Sequence, residues 1–346
     1  MSSVAGSRVL VVGGAGFVGA NLVKALLAKS ARHVVAVDNL LSAEQANLPK
    51  SSKVTFIKGS ITSDKVLESL KDNFDYMFQL ATYHGNQNSM ADPLADHANN
   101  TLTTLKFCER VKSFKKIRKV VYSSAGCTVA EKTYNDAQAT TEESPVSLWM
   151  DTPYQMSKII GELHFNYYFK RFALPVVKAR FQNVYGPGEI LGAGKWRGTP
   201  ATVWRNVVPT FVYRALKQMD LPVENGGIAT RDFIYVEDIV AGLIACAERG
   251  TAGEVYNVAS GMETSILDLA NSINRLTENP TPIDYKPPRD WDRSGKRYGS
   301  TEKARLQLGF EATVQLEEGL KRTVEWTRAN LPLIDKCINK HRKHMA

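Results

Sequence analysis

A glycine-rich turn near the N-terminus constrains the fold of this chain more than any other feature of its sequence. The segment Gly13–Gly19, Gly-Gly-Ala-Gly-Phe-Val-Gly, directly follows a β-branched run at Arg8–Val12 and opens a segment of helical periodicity, Gly16–Lys29. Glycines at this spacing let a pyrophosphate approach the backbone closely, and the helix N-terminus supplies N–H donors and a favourable dipole for the anion. The pattern predicts a strand–turn–helix unit that binds a dinucleotide.

An acidic residue after the next strand indicates which dinucleotide is bound. Asp38 ends a second apolar run, His33–Val37, and lies 19 residues after Gly19. Its carboxylate can accept hydrogen bonds from both hydroxyls of an adenosine ribose and would repel a 2′-phosphate. We therefore expect NAD rather than NADP as the cofactor, with Asn39 also near the ribose.

Short apolar runs alternate with helical segments along the first half of the chain. Continuous apolar strands in this arrangement indicate a parallel sheet whose two faces are covered by helices. We predict an α/β fold: a Rossmann-type doubly wound parallel sheet with a smaller, discontinuous C-terminal substrate lobe. Further strands are predicted at Val54–Ile57, Asp75–Leu80, Arg118–Ser123, Val176–Arg180 and Glu254–Ala259.

The pattern changes after Tyr185, where a glycine-rich loop begins. A strand and helix at Asp232–Arg249 then look like a return to the first domain. We therefore assign residues 1–185 and 232–260 to the NAD-binding domain. Residues 186–231 and 261–346 form the predicted substrate-binding lobe.

Composition limits the class of protein. The 346 residues are 43% hydrophobic and 23% charged, which excludes a disordered or collagen-like chain. The formal net charge of +9 is consistent with an anionic partner, such as nucleic acid or a phosphorylated metabolite, and equally with a lysine-rich surface. The four cysteines lack metal-type spacing, and neither a signal peptide nor an apolar run of about 20 residues is evident. We expect a cytoplasmic protein with no metal site and with neither nucleic acid nor a membrane as partner.

Tyr154 and Lys158 lie one turn apart on one face of a predicted helix. An ammonium group and the positive charge of an oxidised nicotinamide both stabilise the phenolate form of a tyrosine. Tyr154 then takes the proton of a substrate hydroxyl, while the carbon that bears this hydroxyl gives a hydride to NAD. Tyr213 and Lys217 have the same spacing, but only Tyr154 follows a strand-end serine pair by 30 residues, so we interpret Tyr213 as structural.

Taken together, these motifs resemble the extended short-chain dehydrogenase/reductase family, in its nucleotide-sugar epimerase/dehydratase branch. The similarity covers nearly the whole chain and is more specific for the family than for a substrate. The matching motifs are Gly13–Gly19, Asp38–Leu40, Leu80–Thr82, Asn100, Ser123-Ser124, Tyr154/Lys158, Arg180–Pro187 and Arg231–Asp238.

The resemblance implies two sets of binding residues. Ser60 of this chain stands where many relatives carry an aspartate that touches adenine, so we expect a weaker contact with adenine here. The implied cofactor-binding set is Gly13, Gly16, Phe17, Val18, Gly19, Asp38, Asn39, Ser60, Ile61, Leu80, Ala81, Thr82, Asn100, Tyr154 and Lys158. The implied substrate-binding set is Asn183, Arg231 and Arg293, the last two toward the diphosphate, with His84 in the loop after the fourth strand. The charge of the glycine-rich loop adds Lys195 and Arg197 as candidates, either as contacts for the sugar or as a cation or second acid/base beside Cys127.

Relatives usually carry a serine or threonine as a third catalytic partner. An ungapped alignment places Ala125 at this position, and a one-residue gap places Ser124 there. We prefer Ser124 as the third catalytic partner, and Thr128 is the alternative residue for this role.

The residues that follow Ser124 bear on the type of reaction. The 4,6-dehydratases typically carry Asp-Glu there, and similar uronic-acid decarboxylases carry a glutamate, whereas this chain has Ala125-Gly126-Cys127. A 4-epimerase needs no such carboxylate. The GDP-mannose 3,5-epimerases have a similar Ser-Ala-Cys run and use its cysteine as an acid/base, so Cys127 is a fourth catalytic candidate; the alternative is a packing residue.

We therefore expect an NAD-dependent nucleotide-sugar epimerase that acts through a transient 4-keto sugar. The alternatives are a dehydratase, decarboxylase or reductase of the same family, or a non-catalytic NAD-sensing protein. Family members pair through helices that correspond to Leu94–Ser113 and Tyr154–Phe172, so the resemblance also implies a homodimer. The basic loop Gly186–Arg205 would suit a carboxylated sugar.

Overall fold

A seven-stranded, all-parallel sheet forms the centre of the protein. The computed structural model describes residues 3–126, 133–293 and 295–345. The strand order is β10-β6-β5-β4-β1-β2-β3, and every neighbouring pair is parallel. These strands are β1 (Arg8–Val12), β2 (His33–Asp38), β3 (Val54–Lys58), β4 (Tyr76–Gln79), β5 (Lys119–Ala125), β6 (Val176–Phe181) and β10 (Val255–Val258). The predicted doubly wound α/β fold is confirmed.

Helices cover both faces of this sheet, and further helices lie in the C-terminal part of the chain. Two apolar clusters lie on opposite faces of β1, because alternate side chains of a strand point to opposite sides: Val9 and Val11 belong to one, Leu10 and Val12 to the other. The helices are α1 (Phe17–Ala28), α2 (Asp64–Ser69), α3 (Asn86–Ala91), α4 (Pro93–Asp96), α5 (Leu102–Val111), α6 (Pro153–Phe172), α7 (Val207–Leu216), α8 (Val236–Arg249), α9 (Ile266–Thr277), α10 (Glu302–Leu308), α11 (Leu316–Ala329) and α12 (Leu331–Asn339).

Two small sheets complete the fold. A three-stranded sheet has the order β11-β9-β7, and a two-stranded sheet joins β12 to β8. Their strands are β7 (Asn183–Tyr185), β8 (Leu221–Glu224), β9 (Thr230–Tyr235), β11 (Glu263–Ser265) and β12 (Ile283–Lys286).

The strand β9 differs from the sequence-based expectation. We expected the segment from Asp232 to rejoin the first domain, but β9 pairs with β7 and β11 in the small sheet, outside the large sheet. The following helix α8 packs against β5 and β6, and β10 then extends the large sheet beside β6. After β6, the backbone therefore returns to the large sheet only at β10, beyond α8.

The helix expected over 94–113 is interrupted. A π-helical segment, His97–Thr101, separates α4 from α5. The Asn100 side chain donates to Asp96 at 2.7 Å and its oxygen accepts from the backbone N–H of Tyr83 at 2.6 Å. π-Helical turns are rare and frequently occur at functional sites. Here the segment directs a buried amide toward the loop that follows β4.

The helix α6 carries the predicted tyrosine–lysine pair and is fixed at both ends. Pro153 occupies its first turn, Thr152 Oγ1 caps the N–H of Gln155 at 3.4 Å, and Ala173 ends the helix in a left-handed conformation. Gly161 lets the helix lie against β5, because a Cβ there would come within 2.1 Å of the Tyr122 hydroxyl oxygen. Among the described residues, no helix combines the length and apolarity of a membrane span.

Candidate active site

One cavity of about 580 Å³ opens where several strands of the large sheet end, and it extends to β8 and β9. In open α/β sheets this edge is where ligands bind. The predicted residues that line the cavity are Gly13, Gly16, Phe17, Val18, Gly19, Asp38, Asn39, Ser60, Ile61, Leu80, Ala81, Thr82, His84, Ser124, Tyr154, Lys158, Asn183 and Arg231. The fold therefore brings most of the two predicted sets together.

The glycine turn is shaped for close approach of a ligand. Gly13 has φ +82°, and a Cβ at this position would lie 2.7 Å from the backbone nitrogen of Ala81. A Cβ at Gly19 would lie 2.1 Å from the carbonyl oxygen of Gly13. Both positions require glycine, and together they hold the N-terminus of α1 against the end of β4.

Asp38 lies at the end of β2 with both carboxylate oxygens fixed by the backbone. Its Oδ2 accepts from the N–H of Ala15 at 3.0 Å and its Oδ1 from the N–H of Leu40 at 2.8 Å. Burial raises the pKa of Asp38, and these backbone donors oppose that rise. Each oxygen retains acceptor capacity for a ribose hydroxyl.

Tyr154 and Lys158 lie one turn apart on α6, as predicted. The Lys158 ammonium lies 5.7 Å from the centroid of the Tyr154 ring and donates to the carbonyl oxygen of Ser123 at 3.0 Å. Lys158 is only 4% exposed, so its charge acts at short range on the phenol with little solvent screening. The ammonium and the tyrosine ring therefore lie side by side at the cavity wall.

The second Tyr–Lys pair has a different environment. The Tyr213 hydroxyl donates to Asp335 at 2.7 Å, and Lys217 forms an ion pair with the same carboxylate at 2.8 Å. Neither residue lines the described cavity. The pair fastens α7 to α12.

Behind Ser124 lies a buried ion pair that the sequence analysis missed. Arg180 of β6 contacts both oxygens of Glu162 at 2.9 Å through Nε and Nη2. The Ser124 hydroxyl forms a short hydrogen bond with Glu162 Oε1. An ionised carboxylate only accepts hydrogen bonds, so Ser124 donates to it and meets the cavity as an acceptor. The available signal was the position of Glu162, one further turn along α6 from Lys158.

His84 lies beside Tyr154, with the two rings edge to face and 5.9 Å between centroids. Burial, together with the positive charges of Arg205, Arg197 and Lys158, lowers the pKa of His84 to about 3. The imidazole is therefore neutral at neutral pH.

The basic loop after β7 contributes a different residue from those predicted. Lys195 is exposed and lies outside the described cavity lining. Arg197 also lies outside the lining; its side chain is buried and donates to the carbonyl oxygen of His84 at 2.7 Å. Arg205 lines the cavity and donates to the carbonyl oxygens of Ser42 and Ile190 at 3.0 and 2.9 Å.

The arginine at the far end of the cavity is already engaged with the protein. Arg231 donates to the carbonyl oxygen of Gly295 at 2.7 Å and lies 3.5 Å from the Asp292 carboxylate. Arg293 is exposed and does not line the cavity in the described structure, whereas Arg289 and Arg297 do. The sequence pattern did not single out the latter two.

Besides Lys195, Arg197 and Arg293, three more predicted residues lie outside the cavity lining or outside the described structure. Asn100 is buried below Thr82 and accepts from its hydroxyl at 3.1 Å, so it supports the cavity wall. Cys127 and Thr128 lie outside the described residues. No group of three metal-binding side chains occurs among the residues that the structure describes.

The sequence profile of the NAD dependent epimerase/dehydratase family matches residues 9–259. The chain belongs to this family.

Several known proteins are similar to this chain over nearly its whole length. The Bordetella bronchiseptica enzyme WbmF, solved with NAD⁺, is 58% identical over 99% of each chain, with a TM-score of 0.90. Its complex with NAD⁺ and UDP matches at 59% identity, covers 99% of this chain and 98% of WbmF, and has the same TM-score. A UDP-glucose 4-epimerase of Mycolicibacterium smegmatis is 32% identical over 93% of this chain and 98% of its own. A UDP-glucuronic acid 4-epimerase of Bacillus cereus is 27% identical, with a TM-score of 0.80, and covers 93% and 99% of the two chains.

Membership of this epimerase/dehydratase family confirms the predicted enzyme class and the NAD cofactor. The residues present fit that cofactor: Gly13 and Gly19 admit no side chain at the turn, and Asp38 presents acceptors at the end of β2. Within the family, Gly13–Gly19 would hold the pyrophosphate and Lys158 the nicotinamide ribose.

Proposed function

We propose that this enzyme is an NAD-dependent UDP-sugar 4-epimerase. The observation that carries the proposal is the single cavity in which the dinucleotide turn, Ser124, Tyr154 and Lys158 meet. The UDP found with NAD⁺ in WbmF and the names of the two 4-epimerases support both the nucleotide and the carbon.

The first chemical step is removal of the proton from the sugar 4-hydroxyl. Tyr154 takes this proton as a phenolate, and the Lys158 ammonium stabilises the phenolate and holds the ribose. NAD, when bound, supplies the acceptor and later the donor of the C4 hydride. Tyr154 then returns its proton to the 4-keto oxygen after the sugar has turned its other face toward the cofactor.

Ser124 orients the reacting hydroxyl in this proposal. Because its own hydrogen goes to Glu162, the Ser124 oxygen accepts a hydrogen bond from the cavity side. It receives that bond from the Tyr154 hydroxyl once the phenol is protonated, or from the sugar hydroxyl as it enters. Glu162 and Arg180 are positioning residues that act through Ser124.

The UDP moiety occupies the opposite end of the cavity. Arg231, Arg289 and Arg297 line that end and supply positive charge for a diphosphate. Pro222 and Asn225, at β8, lie beside them as contacts for the base. Arg293 stays a predicted diphosphate contact, which requires movement of its exposed side chain toward the cavity.

The enzyme acts as a homodimer in this proposal. Met156, Leu163 and Tyr167 lie on the outer face of α6 and are 52%, 60% and 56% exposed. Their spacing places them along one side of the helix, where a second copy of α6 would cover them. Size-exclusion chromatography with light scattering is expected to give twice the mass of the chain, and Leu163→Glu should give the monomer mass.

Turnover of defined substrates tests the activity. The NAD-loaded enzyme is incubated with UDP-glucose, UDP-galactose, UDP-glucuronate and UDP-galacturonate, and the products are followed by NMR. Inversion at C4 without accumulation of NADH is expected. Sustained release of NADH, or loss of water or CO₂ from the sugar, would contradict the proposal.

A further inference from the structure

One wall of the cavity is lined by four residues with buried polar atoms that have no hydrogen-bond partner in the described part of the protein. These atoms are His84 Nδ1, Glu189 Oε2, Arg205 Nε and Thr210 Oγ1. All four residues line the cavity, and Glu189 and Thr210 are only 5% and 8% exposed. Buried polar atoms without partners are rare in native proteins, and at a binding site they indicate a polar ligand.

Local contacts place these atoms close together. Asn206 precedes α7 and donates to Glu189 Oε1, and Thr210 follows Asn206 by one turn on the same face. Arg205 neighbours Asn206 in sequence, and its charge acts on both Glu189 and His84. Because the His84 ring contacts Tyr154, the wall lies at the sugar end of the cavity.

All four atoms can act as hydrogen-bond donors toward one ligand. Arg205 Nε and the Thr210 hydroxyl always carry hydrogen, and a neutral His84 can carry its hydrogen on Nδ1. Burial raises the pKa of Glu189 to about 7, so its free oxygen carries a proton in weakly acidic solution. A ligand that accepts several hydrogen bonds at once matches this set.

The charge on this wall is positive. Arg205, Arg197 and Lys158 act on His84 together, and Arg197 retains two buried guanidinium nitrogens without partners. Glu189 is the carboxyl group that faces Arg205 on the cavity side, while Glu44 and Cys337 lie behind Arg205. Lys340 already pairs with Glu44 at 2.6 Å. When Glu189 is protonated, nothing else on the cavity side of the described wall neutralises Arg205.

We propose that this wall is a subsite for a carboxylate on the sugar, so that the preferred substrates are nucleotide-linked hexuronates. The inference rests on the proposed function and specifies its substrate class. A carboxylate accepts from all four groups and supplies the missing negative charge. Ionisation of Glu189 converts one donor into a repelling charge, so affinity for the uronate falls as pH rises through about 7.

A matched pair of ligands tests the subsite. UDP-glucuronate has a carboxylate at C6 where UDP-glucose has a hydroxymethyl group, and the two are otherwise identical. Their affinities for the NAD-loaded enzyme are measured by calorimetry at about pH 6 and about pH 8. We expect UDP-glucuronate to bind at least about tenfold more tightly at the lower pH and to lose most of that preference at the higher pH. UDP-glucose affinity should stay nearly constant.

Two variants assign the effect to the wall. Glu189→Gln keeps the oxygen that accepts from Asn206 and places an uncharged donor at the other position, so the preference should persist at the higher pH. Thr210→Val removes a donor and should weaken UDP-glucuronate binding severalfold while leaving UDP-glucose binding intact. Circular dichroism of each variant checks the fold, and the wild-type comparison stands without either variant.

The outcomes separate this inference from the proposed function. Equal affinity for the two ligands at about pH 6, or an unchanged pH dependence in a folded Glu189→Gln variant, overturns the subsite. If UDP-glucose is nevertheless epimerised, the proposed function stands without the subsite. If UDP-glucuronate is preferred but no UDP-sugar is epimerised, the subsite stands and the proposed function fails.

Discussion

The hydroxyl of Ser124 donates its hydrogen bond away from the cavity, to the carboxylate of Glu162. Arg180 holds both oxygens of that carboxylate, and all three residues are at most 6% exposed. The direction of the Ser124 hydrogen bond is therefore set by an ion pair that does not line the cavity.

Glu162→Gln should change catalysis through Ser124, in addition to removing the charge partner of Arg180. An amide can donate as well as accept, so the serine hydroxyl is free to rotate and donate into the cavity. We expect kcat to fall by about tenfold or more with KM little changed, because the UDP contacts are untouched. The pH profile of kcat should also shift; an unchanged profile and rate would refute the positioning role.

A matched control separates this effect from general destabilisation. Asp238 is also buried and accepts hydrogen bonds from Thr313 and Val314, but it does not line the cavity. Asp238→Asn should cost roughly 1–3 kcal/mol of stability in denaturant unfolding while kcat and its pH profile stay the same.

Gly13→Ala should abolish tight NAD binding. The new Cβ would lie 2.7 Å from the backbone nitrogen of Ala81, at the point where the pyrophosphate approaches. Gly6→Ala is the control, because Gly6 also has positive φ, +67°, but its Cβ would meet nothing within 4 Å. Fluorescence titration with NAD should show a loss of at least about tenfold in affinity for the first variant only.

The stability of the protein should depend on pH through Glu189. Burial raises the pKa of this carboxyl from 4.5 to about 7, so the native state keeps a proton that the unfolded chain has released. The free energy of unfolding therefore falls as pH rises between these values, by at most on the order of 3 kcal/mol. His84 acts in the opposite direction below pH 6.5, since its pKa is lowered to about 3.

Comparison with a variant isolates the Glu189 contribution. Glutamine does not titrate, so Glu189→Gln should retain the His84 dependence and lose the decline toward pH 7. Urea unfolding of both proteins across this range measures the difference. Parallel curves for the two proteins would show that folding does not raise the pKa of Glu189.

Tyr154→Phe should abolish turnover and spare NAD binding. The substitution removes the phenol oxygen that exchanges the proton, while the glycine turn and Asp38 remain. Tyr213→Phe is the internal control with the same lysine spacing. It removes a hydrogen bond to Asp335, so about 1 kcal/mol of stability should be lost at full activity.

The sequence revealed those parts of the fold that depend on local pattern. The β-branched runs, the glycine turn and the Tyr–Lys spacing each lie within one segment, so β1, α1 and the α6 pair were predicted from the sequence alone. The position of β9 was not, because a strand pattern does not indicate which sheet the strand joins.

The parts of the site that were missed depend on contacts between distant segments. Glu162 acquires its role only when β6 brings Arg180 beside it, and Glu189 only when α7 presents Asn206. The sequence drew attention to the basic loop, but which of its basic residues lines the cavity depends on how the loop folds: Arg205 lines the cavity, and Lys195 faces solvent.

Epimerisation in deuterated water tests the central claim most directly. If hydride leaves and returns at C4, the inverted UDP-sugar will carry no solvent deuterium on any carbon, and Tyr154→Phe will give no product. Deuterium at C3 or C5 would contradict this account and would implicate proton exchange next to the ketone, the chemistry for which Cys127 is the candidate.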